Sequence, residues 1–169
     1  MILFSLRRSL PFILSLSLTA PLALAQDNQP SRKIGTSGNP IPRFVSIAHT
    51  KANMRTGPSM NYPIKWVYQR KGYPLKVTDE YGPWRKVVEK DGTTGWMHVQ
   101  VLSGKRTALI NRRTRSLFKK PITTSPVTLI AEAGVIAVLD KCQDNWCLVE
   151  IDGTEGWILK NQLYGTNLK

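Results

Sequence analysis

The two cysteines of the chain, Cys142 and Cys147, are the residues with the most distinctive chemistry. They flank a short polar segment that predicts a tight connection between two strands, where opposed β-carbons come within range of a disulfide. A redox or nucleophilic pair is the alternative, but Cys-x4-Cys is not thioredoxin spacing, and the two histidines, His49 and His98, lie in an earlier part of the chain. We interpret the pair as a structural disulfide.

Four of the five tryptophans form two pairs, and tryptophan can either fill a small core or line a groove in which peptides and sugars stack. Trp84 and Trp146 each begin a predicted strand. Packing is favoured for them because large aromatic side chains dominate burial in small folds. Trp96 and Trp157 each follow a glycine in a repeated phrase, and both roles stay open for them, so we treat these two as candidate ligand-binding residues.

A band of seven basic residues without an acid occupies residues 105–120. It could contact wall carboxylates and phosphates, lipid headgroups or an acidic partner protein. It could equally be a solvated connector that complements residues 121–169, which hold six acidic and three basic residues. The candidate contacts for an anionic partner are Arg112, Arg113, Arg115, Lys119 and Lys120.

Residues 1–25 have the features of an export signal. Arg7 and Arg8 precede an apolar stretch, and the cleavage positions hold small residues. An uncleaved membrane anchor is the alternative, but the apolar run is short for a span of about 20 residues and a proline interrupts it. We predict cleavage after Ala25, a periplasmic location and a flexible leader over residues 26–43. Membrane contact is then expected only through an uncleaved signal or the basic band.

The sequence disfavours both nucleic-acid binding and catalysis. The net charge of +13 would suit a nucleic acid, but export removes the chain from such partners and no base-stacking motif accompanies the basic band. The sequence has no Ser or Cys near a plausible His base, no distinctive acid pair, no phosphate loop and no metal-ligand cluster. We therefore predict a protein that is not an enzyme and that uses no cofactor or metal.

The phrase DGTTGW at residues 91–96 returns as DGTEGW at residues 152–157. A shift of 62 residues also superposes a preceding glycine and tryptophan of the two copies, and one deletion in the second copy brings the repeated phrases into line. Self-similarity at this period indicates two duplicated units of about 60 residues. We place them at residues 44–104 and 105–169.

The pattern within each unit is typical of short antiparallel strands. Asp-Gly lies between residues rich in Val, Ile and Trp in both copies, which predicts a hairpin with a type I′ turn. Prolines cut most candidate helices short. We therefore predict an all-β fold of two small barrels, which hide their sheet edges. Residues 146–151 are apolar on both faces, so we expect the units to pack on each other.

The residues 62 positions before the two cysteines are Glu80 and Arg85. An opposite-charge pair at this cross-strand position would clamp the same hairpin more weakly than a disulfide does. We therefore predict that one unit is held at this point by charge and the other by sulfur.

Residues 53–59, Asn-Met-Arg-Thr-Gly-Pro-Ser, followed by Gly72, Trp84 and the pair at 95–96, resemble the opening signature and closing Gly-Trp strand of the bacterial SH3-like (SH3b) family. The resemblance covers about residues 45–165 and implies two tandem SH3-like barrels. The tandem form, whose second unit contains Cys-x-x-x-Trp-Cys, is similar to a group of exported SH3-like proteins of Gram-negative bacteria.

The second unit departs from the opening signature, because the positions 62 residues beyond Arg55 and Gly57 hold Leu117 and Lys119. A role of the opening loop is therefore carried over only onto residues 53–59. There the resemblance implies that Asn53 and Arg55 are ligand contacts. The alternative is that the same loop has a structural role, because its residue types are those of a turn.

The resemblance further implies a binding module, commonly for the cell wall or for protein partners and often attached to wall hydrolases. We therefore expect an exported, non-catalytic module that binds peptidoglycan or a cell-envelope protein. The alternative is a periplasmic adaptor that docks a peptide and does not touch the wall. A third interpretation is an accessory to an amidase or peptidase whose activity belongs to a partner chain.

Overall fold

The computed structural model describes residues 32–166, so the predicted signal peptide and residues 26–31 of the predicted leader lie outside the described residues. Within this range the chain forms sixteen strands. In chain order they are β1 (Lys33–Ile34), β2 (Pro40–Ile41), β3 (Arg43–Ile47), β4 (Ala52–Arg55), β5 (Ile64–Tyr68), β6 (Pro74–Tyr81), β7 (Trp84–Val88), β8 (Thr94–His98), β9 (Leu102–Ser103), β10 (Thr107–Ile110), β11 (Arg115–Phe118), β12 (Val127–Ala131), β13 (Ile136–Gln143), β14 (Trp146–Ile151), β15 (Thr154–Leu159) and β16 (Leu163–Tyr164). Short 3-10 helices at Val99–Val101 and Lys160–Gln162 precede β9 and β16.

Strands β3 to β9 and β10 to β16 form two antiparallel sheets of seven strands each. The first has the order β5-β4-β8-β7-β6-β3-β9, and the second has the matching order β12-β11-β15-β14-β13-β10-β16. The shared order confirms the predicted duplication and the all-β, tandem SH3-like fold class. Closure of each sheet into a barrel stays a prediction, because the pairings among the described strands leave β5 and β12 at sheet edges.

The two Asp-Gly hairpins differ in their turns. In the second unit Asp152 and Gly153 form a two-residue loop with positive φ at both positions, 49° and 80°, as the predicted type I′ turn requires. In the first unit the Glu89 N–H donates to the Thr93 carbonyl at 2.8 Å, and within that three-residue loop only Gly92 has positive φ. The type I′ prediction therefore holds for the second hairpin only, and the extra loop residue accounts for the deletion in the repeat.

Each unit has its own hydrophobic core beneath its sheet. The fully buried aliphatic and Met side chains of the first core include Ile47, Met54, Leu75, Val87 and Met97. Their counterparts in the second core include Ile110, Leu117, Ala137, Val149 and Ile158. In β4, β7 and β14 the buried residues alternate with more exposed ones, as expected for sheets that bury one face, whereas β3 and β10 are buried at almost every position.

The two units pack against each other, as the sequence predicted. Thr107 Oγ1 donates to the Gly72 carbonyl at 2.7 Å, and the rings of Phe44 and Tyr164 meet edge to face with centroids 5.4 Å apart. Gly72 has φ +81°, and a β-carbon there would lie 3.4 Å from the Ile136 side chain. Gly72, the glycine that precedes the repeated tryptophan in the first unit, therefore contacts the second unit.

Residues 32–43, expected to belong to a flexible leader, are instead folded onto the first unit. Strands β1 and β2 pair with each other, and Ile41 is buried in the first core. Ser37 donates to the Glu80 carboxylate through its N–H at 2.7 Å and its hydroxyl at 2.8 Å. The glycines and prolines of this segment belong to its turns, and its anchor lies 43 residues further along the chain, where local composition gives no signal.

The basic band at 105–120 is part of the second sheet, so the structure replaces the interpretation of this segment as a connector. All four residues of β10 are buried, and Leu117 of β11 is fully buried. Arg115 is the first residue of β11, and the other basic residues lie before, between or after these two strands. The charge of the band therefore marks the ends of strands whose apolar residues lie in the core.

Both predicted hairpin clamps are present. Cys142 lies opposite Cys147 in the β13–β14 pair, and the two form a disulfide. Glu80 lies opposite Arg85 in the β6–β7 pair, and Arg85 Nε is 3.3 Å from Glu80 Oε1. The same position of the duplicated hairpin is therefore held by charge in the first unit and by sulfur in the second.

Reduction of the Cys142–Cys147 disulfide is expected to lower the free energy of unfolding by about 2 kcal/mol, because the bond closes a short loop and the loss of entropy in the unfolded chain grows with loop length. Urea unfolding with and without a phosphine reductant measures the change. A double variant, Cys142→Ser with Cys147→Ser, serves as the control and should not respond to reductant. Two reactive thiols in the native chain under oxidising conditions would contradict the assignment.

Candidate functional site

The first unit carries an open groove of about 480 Å³ beside the end of β4. Asn53 and Arg55, the predicted ligand contacts, project from β4 and line it. Trp84 and His98 line it from the neighbouring strands β7 and β8, where they lie opposite each other in register. The remaining lining residues are Lys51, Ala52, Met60, Gln100 and Val101.

Trp84 and His98 form the aromatic wall of this groove. Their rings meet edge to face with centroids 5.3 Å apart. Trp84 is 7% exposed, so the prediction that it packs is correct, but it lies outside the hydrophobic core cluster and its accessible edge faces the groove. His98 is not among the predicted site residues, although pairing the strands around the Asp-Gly turn places it opposite Trp84.

The loop after β4 gives the opening signature a structural role and also shapes the groove. Arg55 Nη1 donates to the Tyr62 carbonyl at 2.7 Å, which closes the loop on itself. A β-carbon at Gly57 would lie 2.6 Å from the Tyr62 ring, so only glycine fits beneath it. The closed loop presents Met60, which is 67% exposed, at the edge of the groove. Both interpretations of this loop are therefore compatible with its geometry.

The groove combines a hydrogen-bonding group and positive charge with its apolar wall. Asn53 Oδ1 is buried and has no donor within residues 32–166, so a ligand N–H or a water molecule is needed to satisfy it. Lys51 and Arg55 supply two cationic groups, and no acidic residue lines the groove. The arrangement fits an extended ligand with amide groups and a negative charge.

The second unit has its counterpart of this groove filled at the end near Trp146, while a cavity remains at the end near the 3-10 helix Lys160–Gln162. Arg55 lies opposite Trp96 and Phe118 lies opposite Trp157, so the strand pairing aligns Arg55 with Phe118. This corrects the alignment with Leu117 by one residue. The Phe118 ring packs edge to face on Trp146 at 5.8 Å, across the position where the first unit is open. The duplicated units therefore differ at the residue that leaves this end of the groove open in the first unit and fills it in the second.

Trp96 and Trp157, the predicted ligand-binding tryptophans, are half-buried next to these positions but do not line the groove. Trp96 lies opposite Arg55, and directly opposed residues share a sheet face, so Trp96 supports the groove from the side. Trp157 has Lys141 Nζ 6.0 Å from its ring centroid. The structure thus brings Asn53 and Arg55 together with Trp96 beside them, whereas Trp157 lies beside Phe118 in the second unit.

The predicted anionic-partner contacts do not form one patch. Arg112 and Arg115 line a cavity of the second unit, whereas Arg113, which is exposed as Arg112 is, does not line it. Lys119 and Lys120 follow the other end of β11 and are exposed. A strand therefore separates the band into two parts.

Two further observations concern the described part of the chain. Within residues 32–166 no group of three or more His, Cys, Asp or Glu side chains is arranged so that it could hold a metal ion. None of the helices in this range has the length and apolar character needed to cross a membrane.

The fold defines a tandem of two small all-β modules, of which the first carries an open groove. The family model described as the bacterial SH3 domain matches residues 48–104 and again residues 113–165. The chain belongs to the bacterial SH3 domain family. A search of curated proteins found no match.

Solved structures with a similar arrangement include an NlpC/P60 family protein from Bacillus cereus ATCC 10987, which is 16% identical, with a TM-score of 0.33 and coverage of 72% of this chain and 55% of that chain. NlpC2 from Trichomonas vaginalis is 12% identical, with a TM-score of 0.34 and coverage of 73% and 48%. NlpC1 from the same organism is 13% identical, with a TM-score of 0.32 and coverage of 78% and 48%. The chain spans about half the length of these structures.

Proposed function

We propose that this protein is an exported, non-catalytic binding module whose first unit binds peptidoglycan or a cell-envelope protein. The groove of the first unit carries the proposal, because it is open, lined by Trp84 and Asn53, and free of acidic groups. The family match supports a binding role, and the disulfide supports an oxidising compartment such as the periplasm.

The chemistry of the groove favours the peptide portion of a wall polymer or an acidic peptide. Trp84 and Met60 offer apolar contact area to an aliphatic or methyl-bearing segment. Asn53 Oδ1 can accept from a ligand amide N–H. Lys51 and Arg55 can pair with a ligand carboxylate. In this proposal the second unit, in which Phe118 fills the end of the groove near Trp146, supports the first unit through the interface.

One observation favours the adaptor alternative. Strand β5 is an edge of the first sheet, and its Ile64 and Trp66 side chains are 47% and 56% exposed. An edge strand with exposed apolar residues can add a peptide as a further strand. A periplasmic protein partner that docks in this way would not need the wall.

Retention of the protein on purified sacculi tests the role of the groove. The decisive variant is Lys51→Glu, which places a negative charge in the groove without a change in the core. We expect wild type to be retained at low salt and the variant to bind about tenfold more weakly, because like charges across an interface are unfavourable. Lys90→Glu makes the same charge change at an exposed position outside the groove and should bind as wild type does.

Equal losses in the Lys51→Glu and Lys90→Glu variants would assign binding to overall charge and contradict a role of the groove. Failure of the wild-type chain to bind sacculi at low salt would contradict wall binding. In that case, a photo-cross-linking amino acid placed at position 64 or 66 that captures an envelope protein would support the adaptor alternative.

A further inference from the structure

A second cavity, of about 360 Å³, lies on the second unit between the β10–β11 turn and the 3-10 helix Lys160–Gln162. Its lining residues are Asn111, Arg112, Arg115, Leu159, Asn161 and Gln162. Five of these six carry an amide or a guanidinium group, and none is acidic. The cavity therefore presents hydrogen-bond donors and positive charge without a competing carboxylate.

Arg115 in this cavity lacks an acceptor. Its Nε atom is buried and has no hydrogen-bond partner within residues 32–166. None of the salt bridges in this range includes Arg112 or Arg115. A buried guanidinium N–H without an acceptor is unfavourable, and an oxyanion would satisfy it, because the guanidinium fork matches the oxygens of phosphate and carboxylate groups.

The turn that carries Arg112 holds this residue in an unusual backbone conformation. Arg112 has φ 62°, in the left-handed region that few residues other than glycine, Asn and Asp adopt. The Arg113 N–H donates to the Asn111 carbonyl at 2.7 Å, and the Asn111 N–H donates to the Gln162 carbonyl at 2.8 Å. The turn is thus tied to the 3-10 helix, and the strained arginine is held beside the cavity, a combination that often marks a binding site.

Within the described residues, the first unit repeats part of this cavity but neither of its arginines. The strand pairing aligns Arg112 with His49, which is not among the residues with positive φ. His49 Nε2 instead lies 3.1 Å from the Gln100 carbonyl. The cavity positions Arg115, Leu159, Asn161 and Gln162 correspond to Ala52, His98, Gln100 and Val101 of the first groove. The two arginines, and not the cavity as such, are therefore specific to the second unit.

We propose that this cavity is a binding site for a small oxyanion, the phosphate or carboxylate group of a larger ligand. Arg112 and Arg115 bind its oxygens, and Gln162 and Asn161 contribute amide donors. Asn111 Oδ1 is also buried without a donor, and a P–OH group or a bridging water would supply one. The inference is independent of the proposed groove function, because it concerns other residues and the other unit.

Titration of the chain lacking residues 1–25 with inorganic phosphate, and separately with acetate, tests the site at constant ionic strength maintained with chloride. The readout is the ¹⁵N–¹H signal of Arg115 Nε together with the side-chain amide signals of Asn161 and Gln162. We expect saturable shifts at these groups. Saturation by phosphate alone assigns a phosphate group, and saturation by acetate as well assigns any oxyanion; no saturation with either would overturn the proposal.

Arg112→Asn is the test variant, because asparagine tolerates positive φ while it removes the charge. We expect phosphate to bind at least about tenfold more weakly, the effect of one lost charge-assisted hydrogen bond, while resistance to urea stays equal or increases. Arg113→Asn removes the same charge from the adjacent exposed position and should bind as wild type does. Equal weakening in the two variants would show attraction to net charge only and would overturn the site.

Discussion

Replacement of Glu80 by glutamine is expected to lower the free energy of unfolding by about 3 kcal/mol, since removal of one partner from a buried ion pair leaves the other charge uncompensated. The Glu80 side chain is 1% exposed and lies 2.7 Å from Arg43 Nη2 and 3.3 Å from Arg85 Nε. Thr36 and Ser37 also donate to this carboxylate. The substitution would therefore leave two arginines without an anion and would loosen the β1–β2 hairpin.

Asp79→Asn is the matched control for Glu80→Gln. Asp79 precedes Glu80 and pairs with Lys33 at 3.9 Å, but both side chains are largely exposed, so this ion pair should contribute less than about 1 kcal/mol. Asparagine also keeps the oxygen that accepts from the Glu80 N–H. Urea unfolding measures both variants, and hydrogen exchange at the Ser37 N–H reports the hairpin. Equal stability of the two variants would contradict the clamp.

The contribution of Glu80 should also depend on pH. Burial raises the pKa of its carboxyl, but the bonds from Ser37 and the charges of Arg43 and Arg85 outweigh burial and lower the pKa from 4.5 to about 2. A lowered pKa means that the stabilisation is fully present above about pH 4.5 and is lost as the pH falls towards 2. The stability difference between wild type and Glu80→Gln is therefore expected to shrink over this range. A stability difference that stays constant from pH 5 to pH 2 would contradict a lowered pKa for Glu80.

Gly95→Ala is expected to lower the free energy of unfolding by between about 2 and 3 kcal/mol, because added volume in a packed core displaces its neighbours. A β-carbon at Gly95 would lie 2.8 Å from Met54 Sδ and 2.9 Å from the Arg55 carbonyl oxygen, at the point where β8 pairs with β4. The sulfur can shift, but the carbonyl belongs to the strand. This close approach explains why a glycine precedes the tryptophan in the repeated phrase.

Gly104→Ala is the control for Gly95→Ala, since no atom lies within 4 Å of a β-carbon there and its φ is not positive. It should unfold at the same urea concentration as wild type. Gly156→Ala, the counterpart in the second unit, should resemble Gly95→Ala, because its β-carbon would lie 2.6 Å from Leu117 Cβ. If Gly95→Ala and Gly104→Ala were equally stable, the close approach would not be the reason for the glycine.

The sequence alone determined the features that depend on residues close together in the chain or on exact repetition. The doubled phrase predicted two units, the Asp-Gly pairs predicted hairpins, and the alignment of Glu80 with Cys142 predicted equivalent clamps, all of which the strand register confirms. The signature at residues 53–59 also led to the family and to two groove residues. These inferences succeeded because turn chemistry and strand alternation are local properties.

Only the tertiary structure decided which repeated positions remain open and which are filled. Phe118 fills one end of the second groove by packing on Trp146, whereas Trp84 and His98 flank the open groove of the first unit, and no local pattern distinguishes these outcomes. The N-terminal segment is folded because its donors meet Glu80 far along the chain. Such contacts join segments distant in sequence, and their free energy comes from burial and charge pairing that exist only once the two sheets have formed.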